Sequence, residues 1–224
     1  NAYARAVAEN WPVTDDAGVL ERAGHRVHLV EGEAMNFKVT GPDDLAMAER
    51  LLATGTADVH STSPRTGFGY DVHRLVPERP LVLGGVTVPF ALGLQGHSDA
   101  DVLAHAIMDA LLGAVAQGDI GQQFPDTDPR YRGISSLELL RQVGAIVRQA
   151  GYTIGNIDAT IVAQAPKLAP HIPEMRARMA DALAVSVAQV SVKATTTEGL
   201  GFAGEGAGMA AYATACLRPV RPLS

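Results

Sequence analysis

Hydrophobic positions along the chain fall into two patterned stretches separated by a polar seam. In the leading stretch, Ala2 to Glu9 reads as the end of a helix, and Thr14-Asp15-Asp16 as the cap of a helix running to Gly24. Val27 to Val30 and Phe37 to Thr40 read as short strands. Pro42 to Leu52 repeats as a helix with acids in its first turn, where they complement the helix dipole. The seam, Thr54 to Arg65, is rich in Gly, Ser, Thr and Pro, has Val59 as its one substantial apolar residue, and reads as a linker. Residues 1–53 make a marginal domain, because so short a chain buries little apolar surface.

After the seam, residues 66–224 alternate more clearly. Phe68 to His73 reads as a strand, and Leu81 to Val88 as a hairpin turning on Gly84-Gly85. Ser98 to Gln117 reads as a helix, with Ser98 as its cap, Asp101 at the capping-box position, and Val102, Ala106, Leu111 and Val115 on its apolar face. Ser135 and Glu138 cap a second helix that ends before Gly151. Ile157, Ala159 and Ile161 alternate as a strand, Ile172 to Leu183 is helical, Val190 to Ala194 is a strand, and Met209 to Leu217 is a final strand. Interleaved strands and helices with a hairpin among them predict an α+β sandwich, a mixed β-sheet with helices on one face.

Composition narrows the function classes. The 224 residues are 47% hydrophobic and 5% aromatic with a formal charge of −6, which excludes a disordered chain and argues against broad binding to nucleic acid or anionic membrane. A local pocket for a small anion stays open. Cys216 is the single cysteine, so no intramolecular disulfide forms, which fits a reducing cytosol; its apolar strand favours packing over catalysis. No run approaches the ~20 apolar residues of a membrane span, and no signal-peptide pattern occurs, so a cytoplasmic protein is expected.

Several clusters carry candidate chemistry. Asp71 and His73 are two apart on a strand, so their side chains share a face about 6.6 Å apart and can close on one metal ion; a surface pair is the plainer alternative. His97 and His105 are eight residues apart, about 12 Å on a helix, so both do not easily reach one ion. His105 has Asp101 and Asp109 four residues either side as possible orienting carboxylates, and His97-Ser98 sits at the expected helix entrance, which favours an anion. The plainer alternative is a capped helix with two satisfied histidines. Asp119, Asp126 and Asp128 crowd one loop, where carboxylates can accept sugar hydroxyls or simply cap turns. Lys167 lies between a strand and a helix, where it can hold a phosphate while backbone groups bind a base edge; a connection merely punctuated by Pro166 and Pro170 is the plainer alternative. Thr195-Thr196-Thr197 offers a phosphate cradle, and Glu198 a ligand for a hard divalent cation. Gly199 to Gly204 matches a dinucleotide fingerprint, but the following helix and later acid are missing, so that reading is discarded. No Walker loop, nucleophile elbow, H-E-x-x-H helix or C-x-x-C pair is present.

In combination, D-V-H, H-S-D-x-D-V-x-x-H, G-D-I-G-x-x-F-P-D-T-D, A-Q-A-P-K and K-A-T-T-T-E-x-L-G-F, from about Thr66 to Leu217, resemble the 2-C-methyl-D-erythritol 2,4-cyclodiphosphate synthase family. The resemblance implies a homotrimer with active sites between subunits, which cyclises 4-cytidine-diphospho-2-C-methyl-D-erythritol 2-phosphate and releases CMP. It implies Asp71, His73 and His105 as zinc ligands, His97 and Thr196 as transition-state stabilisers, Ser98 as a phosphate contact, and Glu198 as the ligand of a magnesium or manganese ion. Asp119 and Gly121 correspond to ribose contacts and Asp126 to a methylerythritol contact. Ala163, Lys167, Leu168 and Ala169 correspond to the cytidine site. Ile120, Phe124, Asp128, Thr195, Thr197 and Phe202, with Asp71 and His73, complete the implied substrate set. Glu205 stands where family members often carry an arginine linked to a diphosphate-binding cavity on the trimer axis, so that cavity's ligand is not carried over.

Val13 to Ala17, Leu29 to Gly32 and Asn36 to Thr40 resemble the C-terminal end of 2-C-methyl-D-erythritol 4-phosphate cytidylyltransferase, with Lys38 at the position of a lysine that holds methylerythritol phosphate. With that enzyme's glycine-rich nucleotide loop absent, the chain reads as the rear of a bifunctional protein, with cyclase and no cytidylyltransferase activity. A metal-dependent phosphohydrolase and a non-catalytic trimeric nucleotide-binding module are the alternatives.

Overall fold

The computed structural model describes residues 2–13, 15–28, 30–31, 38–56 and 63–220. Thr14, Leu29, Gly32, Asn36, Phe37 and the middle of the expected linker, 57–62, lie outside the described residues. The chain divides into two compact units, residues 1–55 and 56–224.

In the first unit, α1 (Ala2–Ala8), α2 (Asp16–Arg22) and α3 (Pro42–Thr56) form. The Asp15 carboxylate starts α2 by accepting the Gly18 N–H at 2.8 Å. Trp11 donates to Glu9 at 2.8 Å, and the Arg5 and Arg22 guanidinium groups lie 5.2 and 5.6 Å from its ring centroid. Among the described residues of this unit only Val19 is a buried apolar side chain. Burying one valine contributes about 1.5–3 kcal/mol, against about 1–2 kcal/mol of backbone entropy lost for every residue ordered. The expected strands at Val27–Val30 and Phe37–Thr40 are not formed in their described residues: among the described residues of this unit no strand lies beside them to pair with their backbone groups. Lys38 is exposed in a stretch without regular structure.

In the second unit a long strand β1 (Arg65–Pro77) leads into the hairpin β2 (Leu81–Leu83) and β3 (Val86–Val88), then β4 (Leu92–Leu94). Gly84 and Gly85, with φ of 55° and 72°, make the two-residue turn. There follow α4 (Val102–Ala114), α5 (Ile120–Gln123), α6 (Ser136–Gln149), β5 (Tyr152–Val162), α7 (Ile172–Leu183), β6 (Val190–Thr195), α8 (Gly201–Gly204) and β7 (Gly208–Pro219). The mixed sheet has the order β4-β1-β7-β5-β6, antiparallel except for the β5–β6 pair joined through α7. The core lies on the helical side, where Leu103, Ile107 and Leu111 of α4, Leu140 of α6 and Met175 of α7 meet Ile157 and Ile161 of β5. On the other face Phe68, Tyr70, Val72 and Tyr212 are 40–63% exposed, an uncovered apolar stripe. Cys216 shares that open-face phase, half-buried, while Ala213, Ala215 and Leu217 between and beside these positions face the core; it is therefore not the core residue the sequence suggested.

α4 is buried almost all round and sits unusually close to β1. A Cβ on Gly67 would fall 1.9 Å from the Ala110 carbonyl oxygen, and one on Gly69 would fall 2.0 Å from that of Ala106. Two glycines on the strand and two alanines on the helix therefore let backbone meet backbone. The helix begins at Val102, not Ser98, and ends at Ala114, not Gln117. The buried Asp101 is its cap, accepting the Ala104 N–H at 3.1 Å, while Ala116 turns left-handed at φ 57° beyond its end. Ser135 makes no side-chain cap for α6; the Asp99 carboxylate takes the Ser136 N–H at 2.9 Å instead. Among the described residues no helix is long and apolar enough to cross a membrane.

Candidate metal centre and its pocket

The strand alternation of β1 puts Gly67, Gly69, Asp71 and His73 on the face toward α4. The close crossing at Gly69 brings His105, one residue before Ala106, down onto that row. Asp71 Oδ2 lies 3.0 Å from His73 Nε2 and 2.9 Å from His105 Nδ1, and the two nitrogens are 3.2 Å apart. A four-coordinate ion with bonds of about 2.0–2.1 Å separates neighbouring ligand atoms by about 3.3 Å, so this triangle is nearly one face of such a site. One carboxylate oxygen and two imidazole nitrogens are also a donor set that suits a borderline divalent metal.

Burial alone would raise the Asp71 carboxyl, but the hydrogen bonds and charges of His105 and His73 outweigh it and hold that group well below the usual carboxylate range. For His105 burial acts downward, and the Asp71 hydrogen bond and charge outweigh it, so its pKa is raised. On the far side of the ring, Nε2 lies 3.0 Å from Ser136 Oγ and 3.2 Å from Ser98 Oγ. Asp101 and Asp109 do not orient His105, although they share its helical ridge. Asp101 accepts Gly85 N–H at 2.7 Å as well as its cap bond, and Asp109 accepts Ile120 N–H at 2.9 Å, fastening the hairpin and the α5 loop respectively. Burial pushes both carboxyls up.

The triad opens on a cavity of about 630 Å³ that His97, Ser98, Ile120, Gly121, Phe124 and Asp126 also line. His97 and Ser98 lie on the loop before α4, not at a helix terminus as expected, because Asp101 already closes that end. Arg79 holds this loop, donating to Gly96 O and Ser98 O at 2.9 Å each. Asp119 and Asp128 stand outside the lining as caps: Asp119 accepts Gln122 N–H at 2.8 Å, and Asp128 accepts from Arg130 through backbone and guanidinium. A second concavity of about 320 Å³ is lined by Ala163, Lys167, Leu168, Ala169, Thr195 and Thr196. Thr195 pairs through Val162 and Ala210 to the Val72 row, three strands from β1, roughly 14 Å across the sheet. Beyond that pocket's lining, Glu198 accepts the Thr196 hydroxyl at 2.7 Å, Thr197 donates to Leu200 O, and Phe202 is exposed on α8. The expected site residues therefore fall into two groups on one chain. Arg79 and Ser136 were not singled out by the sequence, and Asp99 entered only as part of the H-S-D motif with no role of its own, since their roles arise only from tertiary contacts.

A family model described as the YgbB family matches residues 64–218, and one described as 2-C-methyl-D-erythritol 4-phosphate cytidylyltransferase matches residues 1–54. The chain is 58% identical over 207 residues to a protein of Desulforudis audaxviator named bifunctional enzyme IspD/IspF, covering 92% of this chain and 51% of that protein. It is 67% identical over 151 residues to 2-C-methyl-D-erythritol 2,4-cyclodiphosphate synthase of Pelotomaculum thermopropionicum, covering 67% of this chain and 93% of that one. Among solved structures, the bifunctional IspDF of Campylobacter jejuni aligns with a TM-score of 0.68 at 39% identity, over 96% of this chain and 56% of that one. The CDP complex of IspF from Plasmodium falciparum aligns with a TM-score of 0.64 at 32% identity, over 71% of this chain and 99% of that one. The chain spans about half the length of the bifunctional relatives it matches.

Proposed function

The chain belongs to the YgbB family, and from that premise we propose that residues 66–224 convert 4-cytidine-diphospho-2-C-methyl-D-erythritol 2-phosphate to 2-C-methyl-D-erythritol 2,4-cyclodiphosphate with release of CMP. The observation that carries this reading is the triangle of Asp71, His73 and His105 opening on the cavity of His97, Ser98 and the α5 loop. The Plasmodium falciparum relative was solved as a complex with CDP, which supports a cytidine-diphosphate substrate.

In the proposed reaction the substrate's 2-phosphate oxygen bonds to the β-phosphorus as the bond from that phosphorus to the CMP oxygen breaks. No protein nucleophile is needed, and the protein's task is to fold the substrate back on itself and offset crowded negative charge. Zinc is the ion proposed for Asp71, His73 and His105, where it would supply Lewis-acid charge neutralisation. His97 and Thr196 are the proposed donors to the phosphoryl oxygens in the transition state, with Ser98 donating to phosphate and Lys167 adding positive charge. Backbone groups around Ala163, Leu168 and Ala169 hold cytidine. Ile120, Gly121, Phe124 and Asp126 of the α5 loop are proposed to face the sugar and methylerythritol hydroxyls, and Asp119 and Asp128, which flank the lining as caps, are kept in the proposed set. Thr195, Thr197 and Phe202 complete the substrate set. Glu198 offers one exposed carboxylate, so a magnesium or manganese ion there would take its other ligands from the diphosphate.

One substrate must meet both groups of residues, which lie three strands apart on one chain. We therefore propose a homotrimer in which each active site joins the two groups from neighbouring subunits; the uncovered stripe of Phe68, Tyr70, Val72 and Tyr212 supports such assembly. Residues 1–53 are proposed as the cytidylyltransferase end containing Lys38, and 54–65 as a linker. Transferase activity is proposed only for a chain carrying that domain whole, and the cytoplasm as the compartment.

The test is incubation with the cytidine-diphospho substrate, with and without chelator, followed by product identification. Equimolar CMP and cyclic diphosphate, lost on chelation and regained with zinc, are expected. An acyclic phosphate would replace the reading with a phosphohydrolase, and no turnover by the metal-replete chain would overturn it.

A further inference from the structure

We infer that Asp99 and Ser136 are positioning residues that fix the tautomer of His105, so that Nδ1 presents its lone pair to the metal. The inference rests on the metal reading above. Ser136 is fully buried at the first position of α6, and its hydroxyl stands between Asp99 Oδ1 at 2.5 Å and His105 Nε2 at 3.0 Å. A serine hydroxyl has one proton to give, and a carboxylate has only acceptors. The other Asp99 oxygen takes the Ser136 N–H at 2.9 Å, which holds the carboxylate square to this residue. The serine proton therefore goes to Asp99, and the serine oxygen turns lone pairs toward His105. That contact is a hydrogen bond only if Nε2 carries the imidazole proton. Nδ1 is then the bare nitrogen, and it is the one that faces Asp71 Oδ2 and His73 Nε2.

Ser98 fits this assignment without deciding it. Its oxygen accepts the Ala100 N–H at 3.2 Å and lies 3.2 Å from His105 Nε2, and with Nε2 protonated it takes that second donor too. Its own proton is left for a third partner, and the cavity it lines is where a phosphate oxygen would be. The reversed chain, with Ser136 donating to Nε2, would set oxygen lone pairs against each other at the short Asp99 contact. The two acids on the His105 ridge cannot substitute, because Asp101 and Asp109 are bonded to backbone N–H groups elsewhere.

Two substitutions separate positioning from packing. Ser136→Ala removes the nearer acceptor and leaves Nε2 only Ser98 Oγ at 3.2 Å, whose hydroxyl can donate to it as well as accept, so the ring is free to place its proton on Nδ1, where Asp71 welcomes it. Asp99→Asn goes further: with its oxygen on the Ser136 N–H, its NH2 donates to the serine, which must then donate to Nε2 and enforce the wrong tautomer. Ser136→Thr keeps the hydroxyl and is the rescue variant. Zinc affinity of the full chain is measured by chelator competition, with circular dichroism to confirm folding. The nitrogen resonances of 15N-labelled His105 are read in the same samples. Wild type and Ser136→Thr should bind one zinc per chain, with His105 protonated at Nε2. Ser136→Ala and Asp99→Asn should bind about 10- to 100-fold more weakly. Folded Ser136→Ala protein with wild-type zinc affinity and unchanged His105 resonances would overturn the inference. If wild type itself takes up no zinc, the metal reading fails instead, and the metal-free His105 resonances at alkaline pH decide the relay: protonation at Nε2 supports it, at Nδ1 sinks it.

Discussion

Gly69→Ala would put a methyl carbon 2.0 Å from the Ala106 carbonyl oxygen and 2.7 Å from the Ala110 nitrogen, where real Cβ atoms keep at least 3.0 Å. Neither obstacle is a side chain that can swing aside, so β1 and α4 must part by about 1 Å at this crossing. Asp71 is two residues along the strand from Gly69, and His105 adjoins Ala106 on the helix. The same displacement therefore enters the metal triangle, whose ligand distances tolerate only about 0.2 Å. Overpacking of this kind costs about 1–3 kcal/mol, and zinc affinity should drop at least about tenfold, as for lost support of a ligand. Urea unfolding measures the first effect and chelator competition the second. Gly113→Ala is the control on the same helix: its Cβ meets nothing within 4 Å, so stability should rise by up to about 1 kcal/mol with zinc affinity unchanged. A Gly69→Ala protein with wild-type stability and zinc affinity would refute the close-crossing argument.

Asp101→Ala leaves the Gly85 and Ala104 N–H groups without their acceptor and should cost about 1–3 kcal/mol, read as a lower urea midpoint; an unchanged midpoint would show that the hairpin is held otherwise. Arg79→Ala releases Gly96 O and Ser98 O, so kcat should fall at least about tenfold while zinc stoichiometry stays at one; unaltered kcat would mean that the His97-Ser98 loop is fixed without it. In metal-free protein, Asp71's lowered pKa adds stability that is present above its unfolded value near pH 4 and lost as pH falls toward the folded one. His105's raised pKa adds stability present below about pH 6.5 and lost as pH rises through the folded value. Metal-free protein should therefore be more stable at about pH 5.5 than at about pH 9, whereas zinc affinity should rise with pH over that range as His105 loses its proton. Denaturant midpoints and zinc affinities that do not move in opposite directions would contradict this assignment.

Features set by neighbours in the chain were legible in the sequence. Helix α7 occupies Ile172–Leu183, the bounds read from the sequence, and Gly84-Gly85 makes the hairpin its dipeptide implies. Asp71 and His73 share a face because a strand repeats every two residues, and that rule needs no knowledge of what lies opposite. What the sequence could not give is which candidates meet. Ser98 and Asp101 are both good caps, and Asp101, which also accepts the hairpin N–H of Gly85, takes the helix end. Asp101 and Asp109 have the right helical spacing to orient His105, yet tertiary partners claim both, and Asp99 reaches His105 through Ser136, 37 residues further on. Nothing in the one-dimensional pattern marks the glycines at 67 and 69; packed against Ala106 and Ala110 they bring the metal ligands together.

Anomalous diffraction at the zinc edge, from crystals of metal-replete protein, is the most direct test. One peak per chain is expected, bonded to Asp71 Oδ2, His73 Nε2 and His105 Nδ1 at about 2.0–2.2 Å. A fully loaded protein whose zinc lies elsewhere, or is held through His105 Nε2, would contradict both the site and the way it is built.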